Sequence, residues 1–160
     1  MESLADVFEH TLQDLYYAEQ ALTKAIPKAQ KAASHPDLRA ALSAHLGETR
    51  AHVKTLQEVF AILGRPASGE KCPAIDGLIA ETEGVIEEAS DEALDAALIG
   101  CCQAIEHYEI SRYGSLREWA KVLGNTEAHD LLSSILDQEK AANHKLTHLA
   151  VSAVNQTASA

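Results

Sequence analysis

The sequence predicts an all-α fold: an antiparallel four-helix bundle with a short fifth helix in the crossover between two helical hairpins. Three observations carry this expectation. Apolar residues make up 46% of the 160 residues and aromatics only 4%, and Ala and Leu outnumber the β-branched residues, which favours helix over strand. Four long stretches set their apolar residues in alternating steps of three and four, the period of one helix face. Pro36, Gly64, Pro66, Gly69, Pro73 and Gly124 fall between those stretches, where they punctuate helices.

The first helix is expected from about Ser3 to Ala33, with Phe8, Leu12, Leu15, Leu22 and Ile26 on its buried stripe. The string SHPD at 34–37 breaks and restarts the chain: Ser34 is placed to cap the next helix and Pro36 suits its first turn. The second helix runs to about Leu63, burying Leu38, Leu42, Leu56, Val59 and Leu63, and Gly64 stands at the residue that ends it. A loop, RPASGEKC, leads to a shorter acidic helix from Pro73 to about Ala89. Ser90 or Asp91 caps the fourth helix, which runs to Leu123. Gly124 and Asn125 turn the chain into the last helix, Thr126 to about Val154, and the terminal NQTASA is expected to fray.

One domain spanning residues 1–160 is expected, with a hairpin at 3–64, a crossover at 65–90 and a second hairpin at 91–155. Two tight hairpins joined by one long crossover give the ferritin-like connection of a four-helix bundle. The halves also correspond. A shift of 90 places Leu15 on Ile105 and Glu19 on Glu109, and a shift of 91 places Glu48 on Glu139.

The net charge of −11 argues against nucleic-acid partners, because phosphate binding needs a basic face. The basic residues are scattered, which argues against anionic membranes too. No apolar run approaches the length of a membrane span, and the acidic amphipathic start, MESLADVFEH, is not a signal peptide. Cys72, Cys101 and Cys102 fit neither a disulfide framework nor a CxxC motif, so a reducing cytoplasm is the expected location. Cys101 or Cys102 is read as a small apolar packing residue.

Carboxylates break the apolar stripes. The first helix reads Leu12, Leu15, Glu19, Leu22, Ile26; the fourth reads Leu98, Cys102, Ile105, Glu109, Arg112, Leu116; the last reads Leu132, Ile135, Glu139, Ala142, Leu146. In the second, Leu42, His45, His52 and Leu56 lie on the stripe, with Glu48 beside it. Glu19 and Glu48 lie about 15 and 14 residues either side of their turn, and Glu109 and Glu139 each about 15 from theirs. Equal counts on antiparallel helices mean equal heights. Glu19, Glu48, Glu109 and Glu139 are therefore expected to meet near mid-bundle.

An ionised carboxylate buried without a partner costs several kcal/mol or more, and four together repel one another. A pair of divalent cations resolves this, with iron and manganese suited to mixed carboxylate and imidazole ligands. His52 is expected as a ligand. Glu106 is either an extra ligand or a solvated neighbour, and His45 either a ligand or a satisfied core histidine. Glu139 is followed by Asn143, a weaker ligand at the position matching His52. Tyr16, Tyr17, Tyr108 and Tyr113 surround this level, either bonding the ligands or packing between helices. Arg112 is expected to pair with a carboxylate.

The strings HTLQDLYYAEQALTKAIPK, HLGETRAHV, AIEHYEISRYGSL and the LGN turn before LLSSILDQEKAANHKLTHLA resemble the YciE/YciF-type family of bacterial ferritin-like stress proteins, over nearly the whole chain. The resemblance implies a dimetal-capable bundle, typically a homodimer, distantly related to rubrerythrins and manganese catalases. It carries Glu19, Glu48, His52, Glu109 and Glu139 over as ligands. The family has an acidic residue where this chain has Asn143.

Three function classes follow. The first is an iron or manganese protein acting on O₂ or peroxide in stress response, as a peroxidase, catalase or ferroxidase-like oxidoreductase. The second is metal binding without turnover. The third is a metal-free acidic interaction bundle.

Overall fold

The computed structural model describes residues 1–158 and is all-helical over them. Five helices carry the fold: α1 Leu4–Ala32, α2 Pro36–Ile62, α3 Pro73–Glu88, α4 Asp91–Val122 and α5 Thr126–Leu149. A π-helical turn, Ala150–Val154, and a last short helix, α6 Asn155–Ala158, follow. α1 pairs with α2, α2 with α5, α5 with α4 and α4 with α1, closing a four-helix square. α3 lies against α1 and α4.

The helix ends follow from local chemistry. Ser3 and Asp6 form a reciprocal capping box at the start of α1, Ser3 Oγ accepting from the Asp6 N–H and the Asp6 carboxylate from that of Ser3. The cap of α2 is His35 rather than Ser34: its Nδ1 accepts from the Asp37 N–H at 3.2 Å. Pro36 takes the first helical position, so the cap must be the residue before it. Ser34 and His35 give their own N–H groups to Asp95 of α4, at 2.8 and 2.7 Å, which ties the turn to the other hairpin.

Gly64 and Gly124 sit at φ +67° and +75°, the left-handed conformation that glycine adopts without strain. At each, two crossed backbone bonds close the helix: Arg65 to Phe60 and Gly64 to Ala61, then Asn125 to Ala120 and Gly124 to Lys121. The last helix stops as an α-helix at Leu149, five residues short of the expectation, and continues as the π-helical turn. Residues 155–158 are helical where fraying was expected; Ser159 and Ala160 lie outside the described residues. Val154 is buried and the segment packs on α4, which supplies the tertiary contact an isolated tail would lack.

Leu12, Leu15 and Leu22 of α1, Leu38 and Leu56 of α2, Leu98 and Leu116 of α4 and Leu132 of α5 are buried in one core. Each contributes roughly 1.5–3 kcal/mol by leaving water. No helix among the described residues is long and apolar enough to cross a membrane.

Candidate dimetal centre

The apolar core is interrupted at mid-height by a polar cluster. Glu19 of α1, His52 of α2, Glu106 and Glu109 of α4 and Glu139 of α5 are each 2% exposed or less. His45 of α2 joins them with its side chain 11% exposed. Their ligand atoms fall into two groups, each within 4.8 Å: His45, Glu106, Glu109 and Glu139 form one, and Glu19, His52 and Glu139 the other. Glu139 belongs to both.

Few of these atoms have a protein partner. Both oxygens of Glu109, both of Glu139, Oε2 of Glu19 and Oε2 of Glu106 accept no hydrogen bond. His52 Nδ1 stands 3.2 Å from Glu19 Oε1 and 3.1 Å from Glu139 Oε1, but neither oxygen is aligned for a hydrogen bond to it. These are charge contacts. The other ring nitrogen is well held, Nε2 donating to Gln138 Oε1 at 2.7 Å. Tyr113, fully buried, donates its hydroxyl to Glu19 Oε1.

The electrostatics record the crowding. Burial, reinforced by the charges of Glu139, Glu19 and Glu106, holds the Glu109 carboxyl well above the usual carboxylate range. Burial and Glu139 push Glu106 up to about 10, and burial raises Glu19 despite His52 beside it. For His52, burial favours the neutral ring, but Glu139 and Glu19 outweigh it and raise the imidazole to about 11. Without cations the centre holds extra protons to survive its own charge.

Glu48 stays outside both groups. Its side chain is 46% exposed, and its Oε2 lies 3.4 Å from His45 Nδ1. The inward stripe of α2 runs Leu42, His45, Thr49, His52, Leu56, and Thr49 takes the buried place between the histidines. Glu106 instead completes the carboxylate set. On α4 the inward stripe runs Cys102, Glu106, Glu109, Tyr113, Leu116, so Tyr113, not Arg112, occupies the seam. A consistent four-three step from Cys102 was the signal that could have found both.

Arg112 lies over the Tyr108 ring, 5.4 Å from its centroid, instead of pairing with a carboxylate. Asn143 is half-buried, and its Oδ1 accepts from Gln103 at 3.2 Å. Three of the four tyrosines turn away from the cluster: Tyr16 to Gln57, Tyr17 to Asp76 and Tyr108 to Cys72.

The donor set fits a pair of divalent cations. Four carboxylates would balance two such charges, and the orphaned oxygens supply acceptor-only ligands around a shared residue. The mix of four carboxylates with two imidazoles, and no thiolate, is unlike a structural zinc site and suits iron or manganese.

A family profile described as a domain of unknown function (DUF892) matches residues 3–159. The chain belongs to the DUF892 family. Protein YciF of Escherichia coli K12 is 42% identical over 160 residues, spanning 99% of this chain and 96% of YciF. The crystal structure of YciF, described there as a stress protein, superposes with a TM-score of 0.93 over 98% of this chain and 99% of that one. YcfI of Rhodopseudomonas palustris is 47% identical, with a TM-score of 0.88 over 91% and 94% of the two chains. A Xanthomonas campestris protein, 20% identical with a TM-score of 0.76 over 96% and 94%, shares the fold alone. This DUF892 chain is thus a YciF-type protein in sequence as in its helical bundle, as the four strings of residues suggested.

Proposed function

We propose that this chain is a dimetal carboxylate protein, loaded with iron or manganese, that reacts with O₂ or peroxide in stress response. The observation that supports it best is Glu139, common to two sets of buried ligand atoms that mostly lack protein partners. Glu19 and His52 would hold one ion, His45, Glu106 and Glu109 the other, and Glu139 both. The bound pair would supply two electrons, one from each ion, which with two protons convert a peroxide ROOH to ROH and water, or O₂ to hydrogen peroxide.

The chain's own residues prepare that chemistry. Gln138 Oε1 accepts the hydrogen bond of His52 Nε2–H, so in the neutral ring the Nδ1 lone pair faces Glu19 and Glu139. Tyr113 fixes Glu19 from behind. Glu48 Oε2 lies 3.4 Å from His45 Nδ1, and His45 Nε2 lies 3.2 Å from Glu106 Oε1. The leucine-rich core above and below keeps bulk water from the carboxylates. The reading extends to a cytoplasmic homodimer folding as one ferritin-like unit.

Elemental analysis of protein purified without chelators tests it, followed by titration with iron or manganese. About two ions per chain are expected, with peroxide or oxygen consumption by the loaded protein. Protein that arrives without metal and takes up neither ion would end this reading. Uptake without oxidant consumption would instead leave a metal-binding bundle that does not turn over.

A further inference from the structure

The two flanks of the bundle differ. α3 packs on α1 and α4, and among the described residues no helix covers the opposite seam, between α2 and α5. There a cavity of about 120 Å³ opens. Ala41 and Leu42 from α2, with Ala142 and Leu146 from α5, wall it. His45 and Glu106, the outer members of the centre, form its floor. Glu106 is almost wholly buried; its Oε2 is sealed from solvent, and its Oε1 lies 3.2 Å from His45 Nε2.

The dimensions and chemistry of the cavity select a ligand. It has room for roughly four water-sized groups, well below the ~300 Å³ of an ordinary small-molecule pocket. Nucleotides and larger cofactors do not fit. Alanine and leucine walls disfavour ions, and Glu48 and Lys145 share the mouth, so neither sign of charge is drawn in. The floor offers Glu106 Oε1, an acceptor site in the carboxyl as in the carboxylate form, with the His45 imidazole 3.2 Å away. A short, uncharged molecule with an apolar tail and one O–H group matches both parts.

We infer that this cavity binds a short alkyl hydroperoxide, its O–O–H end donating to Glu106 beside His45 and its alkyl end lying between the α2 and α5 walls. The inference rests on the dimetal reading, since it delivers the O–O bond to the edge of that centre. Hydrogen peroxide has no tail to cover the apolar walls, so the alkyl compound is the better-matched substrate.

The test separates the two ideas. Propan-1-ol, the non-reacting isostere of ethyl hydroperoxide, is titrated into the metal-free full-length chain while backbone amide shifts are followed. Saturable shifts confined to the cavity residues are expected, weakened about tenfold or more by Ala142→Leu. Ala141→Leu, at the exposed mouth, serves the same purpose should the first variant fail to fold. Shifts that do not saturate, or that survive the folded variant unchanged, overturn the inference. In metal-loaded protein, ethyl hydroperoxide should react faster than hydrogen peroxide, and the variant should erase that preference while metal uptake stays intact. An equal preference in wild type and variant also overturns it. If the chain takes up no metal, the dimetal reading fails, and the propanol titration still decides whether the cavity binds its ligand.

Discussion

Tyr113 of α4 donates its hydroxyl to Glu19 of α1, a contact sealed from solvent and spanning the two hairpins. It is the one tyrosine of the four whose hydroxyl bonds a carboxylate of the cluster. Tyr113→Phe removes the hydroxyl and little else. Loss of a hydrogen bond to a charged group costs about 1.5–3 kcal/mol, and loss of a ligand's supporting partner typically lowers metal affinity 10- to 100-fold. A drop in melting temperature together with weaker metal binding is expected. Unchanged affinity, measured by competition with a chelator, would reduce Tyr113 to a packing residue.

Glu139 is shared by both ligand groups, whereas Glu109 and Glu19 each belong to one. Glu139→Gln should therefore abolish binding of both ions, while Glu109→Gln and Glu19→Gln should each leave about one ion per chain. Metal content by elemental analysis reads this directly. Glu109→Gln carries a second signature. Neither Glu109 oxygen has a protein partner, and neighbouring carboxylates surround it, so a neutral amide should stabilise the metal-free fold. About 1 kcal/mol would raise the melting temperature by roughly 2–4 °C in a chain of this size. A loss of both ions in Glu109→Gln would show that the two groups do not act as separate sites.

Much of this arrangement was legible in the sequence, for identifiable reasons. The antiparallel hairpins and crossover follow from periodicity and from Gly64 and Gly124, whose positive φ ends two helices. Glu19, Glu109 and Glu139 follow from stripe position and equal distance from the turns, both of which depend only on helix rise and pitch. Glu48 and Glu106 were harder to place. Each lies one position from an alternative stripe residue, and helix spacing alone leaves a rotation of about 100° undecided there. Thr49 and Tyr113 decide the rotation. Thr49 is polar enough to look like a surface residue in sequence, and Tyr113 was one of four tyrosines expected at this level; both are buried with their hydroxyls on partners, His45 O and Glu19.

Glu48, expected as a ligand both from its height and from the family resemblance, is exposed. Its carboxylate reaches His45 Nδ1 from outside, at 3.4 Å, and not the cluster. Glu48→Gln should leave the metal stoichiometry unchanged and weaken affinity modestly, within the about 10-fold lower edge of effects on supporting partners. His52→Ala should lose an ion outright. Equal loss from the two substitutions would place Glu48 among the ligands and require α2 to turn inward on metal binding.

Stability should depend on pH in a direction set by the cluster. Glu106 is raised from the ordinary carboxylate range to about 10, so between those values the metal-free fold binds a proton that the unfolded chain has lost. The fold then weakens as pH rises through that window. His52 acts in the same sense. Its imidazole is raised to about 11, so its stabilising contribution is complete below the ordinary histidine value and fades as pH climbs through the raised one. Metal-free protein should melt lower at about pH 9 than at about pH 6. Cations must displace these protons, so uptake should release protons to the medium and tighten as pH rises. A pH-stat titration during metal loading measures the release, and melting curves with and without metal measure the rest. The metal-free fall should flatten in the loaded protein, where the same carboxylates have exchanged protons for cations. A metal-free protein that grows more stable toward alkaline pH would mean that the carboxylates find partners other than protons.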